Sequence, residues 1–236
     1  MKAGLDIIVT ATLVVCAVVT TGLVARREFF SPAAPPFQAE QKPRQVNDWH
    51  MLLDRGVRIG PADAPVQLLE FADLECPFCA SFHRDLNRLR ARYPAEVALT
   101  YVHFPLPIHR FAKPAARVVE CARDQARFEA MQDVLFAQQD AFGLKTWAEF
   151  AREAGVPDIP AFEACARKTE PVPAIVSGEA LAKALDVQGT PTVIVNGWRL
   201  GRPPSAEELD AMVKAILAGK SPVTPNGKLA RLPNRG

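Results

Sequence analysis

Short apolar runs without polar alternation predict the strands of this chain. Residues 66–71 form one such run, and residues 97–104 form a second of similar length. Runs of about four to eight apolar residues are typical of strands that are buried on both faces. A third run, residues 192–195, leads into an Asn-Gly dipeptide that favours a tight turn, so residues 198–200 are predicted to complete a hairpin.

Between these runs, apolar residues recur at the spacing of amphipathic helices. Phe82, Leu86 and Leu89 lie on one side of a predicted helix that ends at Tyr93 and Pro94. Further helical patterns cover residues 111–140, 146–154, 160–168, 179–185 and 205–217, the last of which opens with a capping box. This order predicts an α/β domain in which a helical insertion, at about residues 106–187, separates the second strand from the third.

The amino-terminal region is strongly apolar. Residues 7–25 form a run of 19 residues whose interruptions are Thr and Gly, close to the roughly 20 residues that span a bilayer. We therefore predict that residues 1–27 are a transmembrane signal anchor. Leu23 ahead of Ala25 fits a cleavage site poorly, although Thr20 with Gly22 leaves cleavage and secretion open.

The remaining segments divide by composition. Residues 28–59 contain several prolines among polar residues and are predicted to be a semi-extended linker. Residues 60–221 carry the strand and helix patterns and are predicted to be the folded domain, with residues 222–236 as a loose tail.

Composition and charge exclude some function classes. Hydrophobic residues make up 49% of the 236 residues, which is enough for a core without a structural metal. The formal net charge is +2 and the basic residues are interspersed with acids, so the chain lacks the continuous basic stripe that nucleic-acid binding requires.

A Cys76-Pro77-Phe78-Cys79 motif stands where the first predicted strand passes into a helix. Unpaired backbone N–H groups and the helix dipole at such a junction lower the pKa of the first thiol and favour its thiolate. Cys79, one turn on, can then attack a mixed disulfide formed at Cys76. Half a zinc site and a static disulfide are the alternative interpretations, but a second ligand pair with similar spacing is missing from the sequence.

Glu70 interrupts the first apolar strand six residues before Cys76. Its carboxyl group is predicted to be partly buried, with a raised pKa, and to shuttle the proton of Cys79. The alternative is an acid on an exposed strand edge. Glu75, by contrast, is predicted to be an ordinary surface residue.

Thr190 and Pro191 open the third predicted strand, where a proline is unusual. A cis peptide bond before Pro191 would explain its presence and would expose the Thr190 backbone for pairing with a substrate.

In their order along the chain, Glu70, the Cys76–Cys79 motif, a helical insertion and Thr190-Pro191 resemble the DsbA-type oxidoreductases over roughly residues 60–220. The resemblance implies a thioredoxin fold, catalysis by Cys76 and Cys79, a cis Pro191, and reoxidation by a quinone-linked membrane partner. Phe78 replaces the histidine of the strong oxidants of this family, which implies a milder redox potential. Thr190 is more similar to the anchored and isomerase relatives.

Two further pairs are candidates for secondary roles. Cys121 and Cys165 both lie in the helical section, where they could form a structural disulfide or remain two buried thiols. His103 and His109 flank the end of the second strand, where they could tune a thiolate, contact a substrate or serve a structural role.

Taken together, the motifs predict a thiol-disulfide oxidoreductase that needs no cofactor or metal. Exported polypeptides would bind beside Pro77, Phe78, Thr190 and Pro191 and be oxidised at Cys76, in a periplasmic domain anchored to the membrane. Net reduction or isomerisation is the nearest alternative. From another class, the cysteines could belong to a metal-binding chaperone or binding module.

Overall fold

The computed structural model describes residues 13–14, 16–21 and 42–230 of the chain. Within residues 42–230 the backbone forms a six-stranded sheet with the strand order β1-β6-β5-β3-β4-β2. Strands β3 and β4 run parallel, and the other neighbours pair antiparallel. The strands are β1 (Arg44–Gln45), β2 (Val57–Ile59), β3 (Val66–Ala72), β4 (Val97–His103), β5 (Thr192–Val195) and β6 (Trp198–Arg199).

Helices connect and cover these strands. Between β3 and β4 lies α1, between β4 and β5 lies the predicted helical insertion, and the last helix follows β6. The helices are α1 (Pro77–Arg92), α2 (Ala112–Arg123), α3 (Phe128–Ala137), α4 (Trp147–Glu153), α5 (Ile159–Ala166), α6 (Pro173–Ala184) and α7 (Ala206–Leu217).

Period-two alternation in the central strands divides the core between the two sheet faces. Leu69 and Phe71 point to the face that α6 covers, where they pack with Val102. Leu68 points to the other face, toward a larger core formed with α1, α7 and helices of the insertion. Both faces of β3 are therefore buried, which explains its nearly continuous apolar sequence.

The predicted helix over residues 111–140 is two helices. Ala126 adopts a left-handed conformation with φ 57°, which ends α2 and lets α3 begin in a new direction. Cys121 in α2 and Cys165 in α5 form a disulfide, with their Cα atoms 5.8 Å apart. This bridge fixes two helices of the insertion against each other.

Ordered structure begins before the predicted boundary at residue 60. The range predicted as a linker contains β1, β2 and a 3₁₀ helix, Trp49–Arg55. These residues join the fold because β2 pairs with β4 and because Leu53 is buried. A Cβ atom on Gly56 would lie 2.3 Å from the carbonyl oxygen of Tyr101, so the chain must carry a glycine where it crosses β4.

The predicted carboxy-terminal tail and the predicted amino-terminal anchor are both described only in part. In the predicted tail, Val223 is buried and forms an isolated bridge with Leu229, while residues 231–236 lie outside the described residues. Of the predicted anchor, residues 13–14 and 16–21 are helical and exposed, and the rest lies outside the described residues. Among the described residues, none of the helices has the length and apolar character needed to cross a membrane.

Candidate active site

The two cysteines of the motif lie at the start of α1 but in different surroundings. Cys76 is the N-cap residue, with an extended backbone (φ −74°, ψ 120°), and Pro77 occupies the first turn, where its missing N–H is harmless. The motif side chain Phe78 is 60% exposed, whereas Cys79 is fully buried. Cys76 is also buried, at 3% exposed, so the little solvent contact that the pair has belongs to Cys76, and an incoming sulfur atom would meet it first.

Hydrogen bonding makes Cys76 the more acidic thiol. It lowers the pKa of Cys76 to about 6, and the largest contribution comes from the Cys79 side chain. Burial opposes the shift, while Thr190 and the backbone N–H groups of Phe78 and Cys79 support it. Such N–H groups at a helix start favour a negative charge. Above about pH 6, Cys76 is therefore a thiolate in the folded chain.

The second thiol shows the opposite shift. Burial raises the pKa of Cys79 well above its ordinary value, and the hydrogen bond to Cys76 and the charges of Glu70 and Cys76 add to this effect. The backbone N–H of Asp73, 3.5 Å from Cys79 Sγ, opposes it weakly. At neutral pH Cys79 therefore holds its proton.

Glu70 lies on β3 and faces the start of α1. It is 1% exposed, and burial followed by the negative charge of Cys76 raises its pKa to about 8. Its Oε1 atom has no hydrogen-bond partner among the described residues. The predicted burial and raised pKa are both present, and a carboxyl group with this pKa can exchange protons near neutral pH.

The Thr190–Pro191 peptide bond is cis, and Pro191 leads directly into β5. The Thr192 hydroxyl donates to the Gly189 carbonyl at 2.8 Å and so closes the bend around the proline. Cys76 Sγ lies 3.5 Å from the carbonyl oxygen of Thr190. Residues more than 100 positions apart in sequence thus meet at Cys76 Sγ.

Two residues that the sequence analysis did not select hold the turn before Cys76. The Asp73 carboxylate accepts from the backbone N–H of Glu75 at 2.8 Å and from that of Leu106 at 2.8 Å. Gln139 Nε2 donates to the carbonyl oxygens of Leu74 at 2.8 Å and Cys76 at 3.0 Å. The sequence carries a local signal for Asp73, which is an aspartate immediately after an apolar strand. It carries none for Gln139, which comes from a distant part of the insertion.

Glu75 is not an ordinary surface residue as predicted. It is half-buried, and its carboxylate accepts a hydrogen bond from the backbone N–H of Phe111. This contact forms because the segment after β4 returns across the active-site turn.

The two histidines make contacts with carboxylates. His109 Nδ1 lies 2.7 Å from Asp73 Oδ2, and His103 Nε2 lies 3.0 Å from Glu120 Oε1. His109 therefore reaches the active-site turn through Asp73, while His103 ties the end of β4 to α2.

An acidified thiol beside a buried, protonated one is the arrangement that exchanges disulfides, and the class that this fold and site define is the protein-disulfide oxidoreductases. A family model described as thioredoxin matches residues 53–215. The chain belongs to the thioredoxin family, and its neighbours among solved structures include DsbA-type oxidoreductases.

Solved structures with this fold come from several bacteria. A thioredoxin-like oxidoreductase from Silicibacter pomeroyi is 25% identical, with a TM-score of 0.60 over 70% of this chain and 94% of that one. BdbD from Bacillus subtilis is 18% identical, with a TM-score of 0.63 over 77% of this chain and 99% of BdbD. Alpha-DsbA1 from Wolbachia pipientis is 20% identical, with a TM-score of 0.58 over 69% of this chain and 90% of alpha-DsbA1.

Curated sequence relatives are longer proteins. The Na(+)/H(+) antiporter NhaA 1 of Mycolicibacterium gilvum is 37% identical over 164 residues, which cover 68% of this chain and 26% of the antiporter. The Na(+)/H(+) antiporter NhaA 3 of Salinispora tropica is 32% identical over 166 residues, covering 70% of this chain and 25% of the antiporter. The chain thus spans about a quarter of the length of these relatives.

Proposed function

We propose that the chain forms disulfides in exported polypeptides, with Cys76 and Cys79 as its redox pair. A substrate thiolate attacks Cys76 Sγ of the oxidised pair, the bond between Cys76 and Cys79 breaks, and its electrons leave on Cys79. Glu70 gives its proton to the Cys79 thiolate. A second substrate thiolate then attacks the substrate sulfur of the mixed disulfide and releases Cys76 as a thiolate.

The lowered pKa of Cys76 carries this proposal. A pKa of about 6 means that the reduced pair is stabilised as a thiolate at neutral pH. Stabilisation of the reduced form makes the corresponding disulfide a stronger oxidant. The same thiolate is also the better leaving group when the mixed disulfide is resolved.

The surface around Cys76 supports a polypeptide substrate. Pro77 and Phe78 are exposed beside the sulfur atom, and the cis bond before Pro191 turns the Thr190 carbonyl oxygen toward Cys76. We infer that an extended substrate pairs with the Thr190 backbone while its neighbouring side chains contact Phe78.

The location and the partner belong to the same proposal. We infer that the domain works outside the cytoplasm, because the Cys121–Cys165 disulfide suits an oxidising compartment and residues 7–25 have the composition of an export signal or anchor. After each turnover the pair must lose two electrons, and a quinone-linked membrane protein is the proposed acceptor.

The equilibrium reduction potential of the Cys76–Cys79 pair tests the proposed direction of electron flow. The full chain would be equilibrated in glutathione buffers while Cys121 and Cys165 are followed by mass. A potential well above that of thioredoxin, about −270 mV, supports an oxidant, and a value near or below it supports a reductase. Failure to exchange with glutathione or with a reduced, unfolded protein would exclude enzymatic disulfide exchange.

A further inference from the structure

Glu70 and Tyr101 are neighbours across the sheet. They are direct partners in the parallel register of β3 and β4, where strands lie about 4.8 Å apart and paired side chains point to the same face. Both side chains are 1% exposed. The phenol ring packs edge-on against His103 and Phe128, which holds it in place beside the carboxyl group.

A third polar side chain approaches from the insertion. Gln132 of α3 is 1% exposed, and its amide acts on the Tyr101 phenol closely enough to favour the ionised form. Glu70 Oε1, the Tyr101 hydroxyl and Gln132 Nε2 all lack a partner in good hydrogen-bonding geometry within the described part of the chain. Since buried polar atoms without partners are rare and costly, their grouping in one place points to a shared purpose.

Several titratable groups act on Glu70 or on Tyr101, and each of them is negative when ionised. Cys76 and Cys79 face Glu70 from α1, Tyr101 faces it from β4, and Asp73 lies close enough to act on Tyr101. Burial and the negative charge of Cys76 are the causes that raise the pKa of Glu70. When Glu70 loses its proton, its negative charge forms close to Cys76, so a neutral donor such as a hydroxyl group would stabilise it.

We propose that Tyr101 is a positioning residue for the proton of Glu70, with Gln132 orienting its hydroxyl. This inference rests on the proposed function, in which Glu70 protonates the departing Cys79 thiolate. The Glu70 proton moves to Cys79 Sγ, and the Tyr101 O–H then donates a hydrogen bond to the carboxylate that remains. Tyr101 keeps its own proton, because burial and the nearby negative charges raise its pKa well above the ordinary phenol value.

The test is the titration of the Glu70 carboxyl carbon by NMR in the full chain, with Cys76 and Cys79 oxidised so that neither thiol titrates. Tyr101→Phe keeps the ring and removes the donor. A hydrogen bond to a charged group contributes enough that its loss should raise the Glu70 midpoint by about one pH unit. Tyr93→Phe is the matched control, since Tyr93 is the other tyrosine of the sequence and donates to Asp210 instead.

Gln132→Leu provides a second variant in case Tyr101→Phe fails to fold, and it should raise the midpoint in the same direction by a smaller amount. An unchanged midpoint in every folded variant, or the same shift in Tyr93→Phe, would overturn the inference. Because the titration involves no substrate, it is separate from the proposed function. A wild-type chain that does not exchange disulfides would remove the proposed function, whatever the Glu70 midpoint is.

Discussion

The carboxylate of Asp73 accepts a hydrogen bond of 2.7 Å from Nδ1 of His109. The same buried carboxylate accepts from the backbone N–H groups of Glu75 and Leu106, and the Asp73 N–H points at Cys79 Sγ. One side chain therefore joins the loop after β4 to the turn that carries Cys76 and Cys79. The geometry of the thiols depends on contacts made by a residue outside the motif.

Replacement of Asp73 by alanine should destabilise the fold strongly. The change leaves Glu75 N–H, Leu106 N–H and the His109 ring without their acceptor, and unpaired buried donors are expensive. We expect the free energy of unfolding, measured by urea denaturation, to fall by about 3 kcal/mol or more. Asp63→Ala, at an exposed position, is the control and should change it little. Equal losses in the two variants would contradict this account.

The acidity of Cys76 should depend on Cys79. In a Cys16→Ser background, which removes the exposed free thiol, the thiolate absorbance of reduced protein should rise with a midpoint near pH 6. Cys79→Ala removes the largest contribution to the lowered pKa of Cys76, so the midpoint should move to higher pH. A midpoint that is the same with and without Cys79 would show that Thr190 and the helix start acidify the thiol without Cys79.

The ionisation of Glu70 should make the fold less stable as pH rises. Its pKa is about 8 in the folded chain and near 4.5 when unfolded, so between these values the folded chain binds one more proton. Stability from this group is complete below about pH 4.5 and is lost as pH rises through 8. Between pH 5 and 8, Glu70→Gln should therefore gain roughly 2–4 kcal/mol relative to wild type.

Chemical denaturation at several pH values measures this difference. Cys76 has the opposite pH dependence, because its lowered pKa adds stability as pH rises, but it is present in both proteins and cancels to first order. Glu170→Gln, at an exposed carboxyl group, should leave the pH dependence as in wild type. A constant difference between wild type and Glu70→Gln across this range would mean that Glu70 titrates normally.

The sequence predicted those strands and helices whose buried residues form a recognisable run or period of apolar positions. Strands β3 and β4 agree with the predicted runs to within one residue, because both are apolar on two faces. Glu70 was recognisable as an acid inside such a run. Strands β1 and β2 are only two and three residues long, too short to show a period, and were included in the predicted linker.

Long-range contacts account for what the sequence analysis missed. Asp73 is paired with residues 33 and 36 positions away, and Gln139 reaches Cys76 across 63 positions. Tyr101 follows the ordinary pattern of a strand residue, and only the register with β3 brings it beside Glu70. Such partners follow from strand register and from the packing of the insertion on the sheet, which a single sequence does not specify.

The disulfide between Cys121 and Cys165 should contribute stability through the unfolded chain. It closes a loop with a sequence separation of 44 residues, and loop-closure entropy for that length corresponds to about 4 kcal/mol. The double variant Cys121→Ala/Cys165→Ala should lose up to this amount in the free energy of unfolding. The midpoint of Cys76 ionisation should stay near pH 6, because neither bridging cysteine is among the groups that set it. If the double variant were as stable as wild type, the bridge would not restrict the unfolded chain, and α2 and α5 would be held together by packing alone.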